Sequence, residues 1–189
     1  MIGTAIVTRA NYLVDDEIDL TEALAELNIA IDDMSLEAPF EATAQFTLAA
    51  DARSVTVPVT CLGLLEVRVD GVKIGAAKGP FSIASDVTGT PSSYYLLGDT
   101  LSFYPLNDTA CTVDILFSSG YASMTTISES PSIPTRFHQG LVYWLVSQFK
   151  SMDDELNASA AYQLKYERYK AGLMFYQANR SVYWITEEE

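Results

Sequence analysis

Ser93-Tyr94-Tyr95-Leu96-Leu97-Gly98-Asp99-Thr100-Leu101-Ser102-Phe103-Tyr104 reads as two short aromatic strands on either side of a two-residue turn. Tyr, Leu and Phe favour a pleated, half-buried surface, and Gly98-Asp99 supplies the backbone freedom that a tight hairpin needs. The same pattern extends outward. Ala42 to Ala49 alternates, with Phe46 and Leu48 on one side and Gln45 and Thr47 on the other. Ser54 to Val59, the Leu/Val-rich run Leu62 to Val69, and Thr112 to Phe117 complete a set of about six strands. Turn signals separate them: Asp70-Gly71, Gly79-Pro80, Gly89-Thr90-Pro91 and Asn107-Asp108. Pro58 marks an edge or a strand start, because proline cannot donate to a ladder.

Beyond this region the period changes from two to 3.6. On the N-terminal side, Asp19 and Glu22 have capping-box spacing, and Leu20, Leu24, Leu27, Ile31 and Met34 recur at threes and fours. The opposite face of that helix carries Glu22, Glu26, Asp32 and Asp33, and Pro39 ends it. On the C-terminal side, Ile133-Pro134 opens a helix with the stripe Phe137, Leu141, Trp144, Leu145 and Phe149. Val142, Tyr143 and Val146 make it apolar nearly all round, as in a helix packed on several sides. After a corner at Met152-Asp153-Asp154, a last helix runs from about Glu155 to Ala178. Leu156, Ala160, Leu164, Leu173 and Tyr176 are expected on its inner side, with Lys165, Arg168 and Lys170 set among Tyr162, Tyr166 and Tyr169. The expected class is α+β: a helical bundle of one N-terminal and two C-terminal helices, interrupted by an antiparallel β-sandwich or curled sheet. In boundaries, 1–39 and 130–180 form the bundle, 40–125 the inserted β domain, and 181–189 a C-terminal tail.

Composition limits the chemistry. The 189 residues include 25 acidic and 11 basic side chains, a net charge of −14. Such a chain repels a phosphate backbone and lacks the Lys/Arg cluster of a tight nucleic-acid binder. Residues 1–10, with Arg9 and no long apolar core, do not read as a secretory leader, and no run is long and apolar enough for a membrane span. Cys61 and Cys111 read as a pair of buried thiols; a bridge would need them on neighbouring strands. His138, the one histidine, has no cysteine near it in sequence, and a lone His opening an apolar helix is more often structural than catalytic. The acidic runs at 15–19, 153–155 and 187–189 lack the alternating oxygens and Gly of a calcium loop, and Gly75 and Lys78 make no phosphate loop. We therefore expect no enzyme, no cofactor and no metal.

An ordered series of motifs carries a resemblance. Gly89-Thr90-Pro91-Ser92-Ser93-Tyr94-Tyr95 leads to Leu101-Ser102-Phe103-Tyr104-Pro105-Leu106-Asn107-Asp108, then to Asp114-Ile115-Leu116-Phe117 and Tyr121-Ala122. Ile133-Pro134, Leu141-Val142-Tyr143-Trp144-Leu145, Met152-Asp153-Asp154 and Tyr166-Glu167-Arg168-Tyr169 follow, while Asn28-Ile29-Ala30 stands in the first helix. Over about residues 20 to 180 this resembles the head-to-tail adaptor proteins of tailed bacteriophages. Val59-Thr60-Cys61 departs from it, standing where that pattern carries Leu-Pro-x-Asp/Glu-Phe.

The resemblance implies a structural virion protein: a ring, commonly of twelve copies, in the neck between the portal protein and the tail or nozzle protein. DNA would pass through it without specific binding, and the ring would be put together in the host cytoplasm. A ring needs two different complementary patches per subunit. Acidic Glu22, Glu26, Asp32 and Asp33 facing Lys165, Arg168 and Lys170 with Tyr162, Tyr166 and Tyr169 of a neighbour would supply them; equally, these are two solvated faces of one bundle. Val182, Tyr183 and Trp184 are expected to dock on the portal, or else to pack back on their own bundle. Loops 71–77 and 82–90 are expected to meet tail proteins. Two alternatives remain open: a β-sandwich binding module that recognises a receptor or glycan, and a tail-tube or tail-terminator component.

Overall fold

The computed structural model describes residues 1–77 and 87–180. The chain forms two compact units, Met1–Phe40 with the segment from Gly120 onward, and Glu41–Ser119.

The first unit is helical: α1 (Gly3–Val14), α2 (Leu20–Glu37), a single 3-10 turn (Thr135–Phe137), α3 (His138–Met152) and α4 (Leu156–Ala178). Helix α2 starts where the spacing places it, since the Asp19 carboxylate accepts from Thr21 N at 2.8 Å and Glu22 N at 3.1 Å. Its buried residues are Ala23, Leu27, Ala30, Ile31, Met34 and Ser35, so the inner stripe is rotated slightly from the expected one and Leu20 is exposed. Asn28 ties α2 to the long loop before α3: Nδ2 donates to Met124 O at 3.0 Å and Oδ1 accepts from Met124 N at 2.8 Å. Helix α3 is the centre, packed on α1, α2 and α4, as its all-round apolar surface requires. The α3–α4 corner turns at Asp154, in the left-handed region at φ 60.

Helix α1 is additional to the three expected helices. Ile2 at its N-cap offers no side-chain acceptor, and the first amides reach instead to a distant loop: Gly3 N to Glu129 O and Thr4 N to Ile127 O, both at 2.8 Å. Its stripe Ile6, Val7, Ala10, Val14 lies in the bundle core.

The second unit is one sheet of seven strands: β1 (Phe40–Leu48), β2 (Ser54–Thr56), β3 (Cys61–Val69), β4 (Val72–Ala76), β5 (Ser93–Leu97), β6 (Thr100–Tyr104) and β7 (Cys111–Ser119), in spatial order β1-β7-β3-β4-β5-β6-β2. The outermost strands β1 and β2 are consecutive in the chain, joined by residues 49–53. Six inter-strand steps would separate flat edges by about 29 Å, whereas that link covers at most about 20 Å. The sheet must therefore curl until its edges approach, and Asn107 lines that approach: its Nδ2 donates to Ala49 O at 2.5 Å and Thr109 O at 3.1 Å. Among the alternatives of the sequence reading, the curled sheet is thus the form adopted. The hairpin Leu97↔Thr100 around Gly98 is as expected, with Gly98 at φ 57. Asp70 (φ 48) and Gly71 (φ 81) make a second two-residue hairpin, so the segment expected as loop 71–77 is largely strand β4. The neighbours β4 and β5 run parallel.

Along β7, Cys111, Val113, Ile115, Phe117 and Ser119 alternate into the core. Both thiols are free. Cys61 pairs with Ser119, eight residues along β7 from Cys111, a separation of about 27 Å that rules out a bridge between them.

Candidate interaction surface

Helix α4 turns Tyr166 and Leu173 inward, with Tyr162, Tyr169 and Tyr176 half-buried beside them. Tyr166 is fully buried; its ring stands 4.9 Å from that of Trp144, and its hydroxyl donates to Asp33 Oδ2 at 2.6 Å. Burial first, and the Asp33 carboxylate second, hold the hydroxyl far above the usual phenol range, so it remains a donor. Lys170 Nζ reaches the same Asp33 oxygen at 2.9 Å and Glu167 at 3.1 Å. Trp144 Nε1 donates to Glu26 at 3.1 Å. Tyr143 of α3 meets Tyr162 and Tyr169 at 6.0 and 5.7 Å, and Lys165 Nζ sits 4.2 Å above the Tyr162 ring.

The ten residues expected at subunit contacts therefore divide. Asp33, Tyr166 and Lys170 are joined to one another inside the subunit, and Glu26, Tyr162 and Tyr169 are half-buried in contacts of the same bundle. Tyr166 is fully buried within its own subunit: a tyrosine can bury its ring when its hydroxyl finds an acceptor, and Asp33 is that acceptor. Glu22 and Asp32 on α2, and Lys165 and Arg168 on α4, are exposed. The inner face expected for α4 is corrected in part: Leu173 is buried as expected, but Leu156 and Leu164 are exposed and Tyr166 is buried in their stead. Val182, Tyr183 and Trp184 lie outside the described residues.

The exposed residues that sequence reasoning missed are apolar. Ile29 and Leu36 project from α2, and Leu164, Met174 and Phe175 from α4. The signal was present in α4, where apolar residues occur on both sides of the helix and one side alone can face the core.

His138 is buried, with Nε2–H donating to Ile133 O at 2.7 Å and Nδ1 accepting from the Met1 amino group at 2.7 Å. Desolvation pushes its pKa below the ordinary value. This is a structural histidine, used in full by the backbone around it. Among the described residues there is no cluster of three or more His, Cys, Asp or Glu that could hold a metal, and no helix long and apolar enough to cross a membrane.

No curated protein matches the chain. The family model described as SU10 adaptor protein matches residues 2–186, nearly the whole length. The chain accordingly belongs to the SU10 adaptor protein family, as a structural adaptor of the bacteriophage virion.

Proposed function

We propose that this adaptor forms a ring in the virion neck, docked under the portal protein and carrying the tail or nozzle protein, with DNA passing through the lumen. The observation that carries the reading is the pair of unlike exposed faces on the helical unit, acidic Glu22 and Asp32 on α2 and basic Lys165 and Arg168 on α4. Two different faces of opposite sign are what a head-to-tail ring contact needs, whereas a two-fold dimer needs one self-complementary patch. The net charge of −14 suits a wall along which DNA slides without sticking. Twelve copies is the number that the adaptor resemblance implies. In this reading Val182, Tyr183 and Trp184 provide the portal anchor, and the β segment is an insertion in a bundle of 1–39 and 130–180.

The test is the mass of the purified protein by native mass spectrometry, alone and mixed with the portal protein of its phage. A ring, or a monomer that becomes a ring on the portal, supports the reading. A chain that stays monomeric and ignores the portal refutes it.

A further inference from the structure

Resting on the ring reading, we propose that the outward stripe of α2 on one copy packs antiparallel against the outward stripe of α4 on the next copy, with Asp32 facing Arg168. The residues on α2 directly opposite its buried face are Ala25, Ile29, Asp32 and Leu36, at i, i+4, i+7 and i+11. On α4 the corresponding outward residues are Leu164, Arg168, Ala171 and Phe175, at the same spacing. All eight are exposed, and the large ones heavily so: Ile29 51 %, Leu36 73 %, Leu164 64 % and Phe175 73 %. Each stripe is about 17 Å long, from eleven steps of helical rise.

Antiparallel alignment matches the first residue of one stripe with the last of the other. Ala25 then meets Phe175, Ile29 meets Ala171, Asp32 meets Arg168, and Leu36 meets Leu164. Two contacts put a small residue against a large one, as interdigitation of helix ridges requires. One is a carboxylate–guanidinium pair, which fixes register better than a lysine could. The parallel alignment gives Ala25–Leu164, Ile29–Arg168, Asp32–Ala171 and Leu36–Phe175, leaving both charges against apolar partners. Self-pairing of either stripe also leaves its charge without an opposite. The occupant that satisfies both stripes is a second copy of this chain, and because the stripes differ the contact repeats from copy to copy.

The full-length protein with its portal provides the experiment. Asp32→Arg and Arg168→Asp should each raise the concentration needed for assembly about tenfold, and the double reversal should recover most of it. Both positions are exposed, so thermal unfolding of the monomer should be unchanged. As a second measurement, a Leu36→Cys population mixed with a Leu164→Cys population should form an inter-chain disulfide under mild oxidation, and Leu36→Cys mixed with Phe175→Cys should not. Wild-type-like assembly by both single reversals, or cross-linking of the second pair in place of the first, would overturn this interface while the ring stands. A wild-type chain that never assembles would overturn both.

Discussion

Tyr166 places its ring between Trp144 and the body of α4, and its hydroxyl against Asp33, in a position where neither end has water to fall back on. Tyr166→Phe removes one hydrogen bond to a charged acceptor and should lower stability by about 1–3 kcal/mol. Tyr166→Ala also empties the site and should cost about 3–5 kcal/mol. Denaturant unfolding of the two variants checks the order, and a Phe variant as stable as the wild type would mean that Lys170 alone satisfies Asp33. His138 makes a pH-dependent contribution of definite sign. Its folded pKa lies below the unfolded value of about 6.5, so the neutral form is favoured by folding. That contribution is complete above about pH 6.5 and declines as the pH falls through the folded pKa. Melting curves at pH 7.5 and 5.5 should show a stability loss in the wild type that is smaller in His138→Gln; an equal loss in both would assign the effect to other groups. From sequence, Asp33 and Lys170 could be sorted by sign but not by location, because the same charge pattern serves a solvated face and an intramolecular pair.

Helix α3 can touch α4 closely because Gly140 has no side chain. A methyl group there would lie 2.8 Å from Tyr169 Cβ and 3.1 Å from Met34 Cε. Gly140→Ala gains helix propensity but wedges two packed helices apart, so a net loss of about 1–3 kcal/mol is expected by urea titration. A more stable variant would show that α4 shifts at Tyr169, and Met34 gives way, at no cost. Most elements were legible because their signals are local. The Asp19 cap and the 27–31–34 stripe delimit α2, Pro134 precedes the turn into α3, and alternation marks β1 and β7. Helix α1 was not, because its cap is a pair of carbonyls more than 120 residues away, a tertiary contact with no mark in residues 1–10. The inner face of α4 was misplaced in part for a related reason. Leu156 and Leu164 are read as core and Tyr166 as surface, yet Tyr166 has an acceptor waiting on α2 while Leu156 and Leu164 do not face the bundle.

Among the described residues the buried apolar ones fall into two clusters, one in each unit. The chain leaves the helical unit at Phe40 and returns at Gly120, and the rings of Phe40 and Tyr121 stand 5.3 Å apart. A segment whose ends are this close can be removed without stretching what remains, provided that the remaining core is its own. The bundle meets that condition: Leu27, Ile31, Leu141, Leu145, Tyr166 and Leu173 are buried against one another in one cluster. Replacing 41–119 with a short Gly/Ser link should therefore leave a helical protein that melts cooperatively, followed by circular dichroism. A soluble but non-cooperative product would mean that the bundle needs the β segment to fold. The same variant separates two ideas about assembly, because Ala25, Ile29, Asp32 and Leu36 and their partners Leu164, Arg168, Ala171 and Phe175 all belong to the helical unit. If those stripes make the subunit contact, the shortened protein retains self-association that Asp32→Arg weakens. If it folds and stays strictly monomeric on the portal, the β segment itself supplies the ring contact.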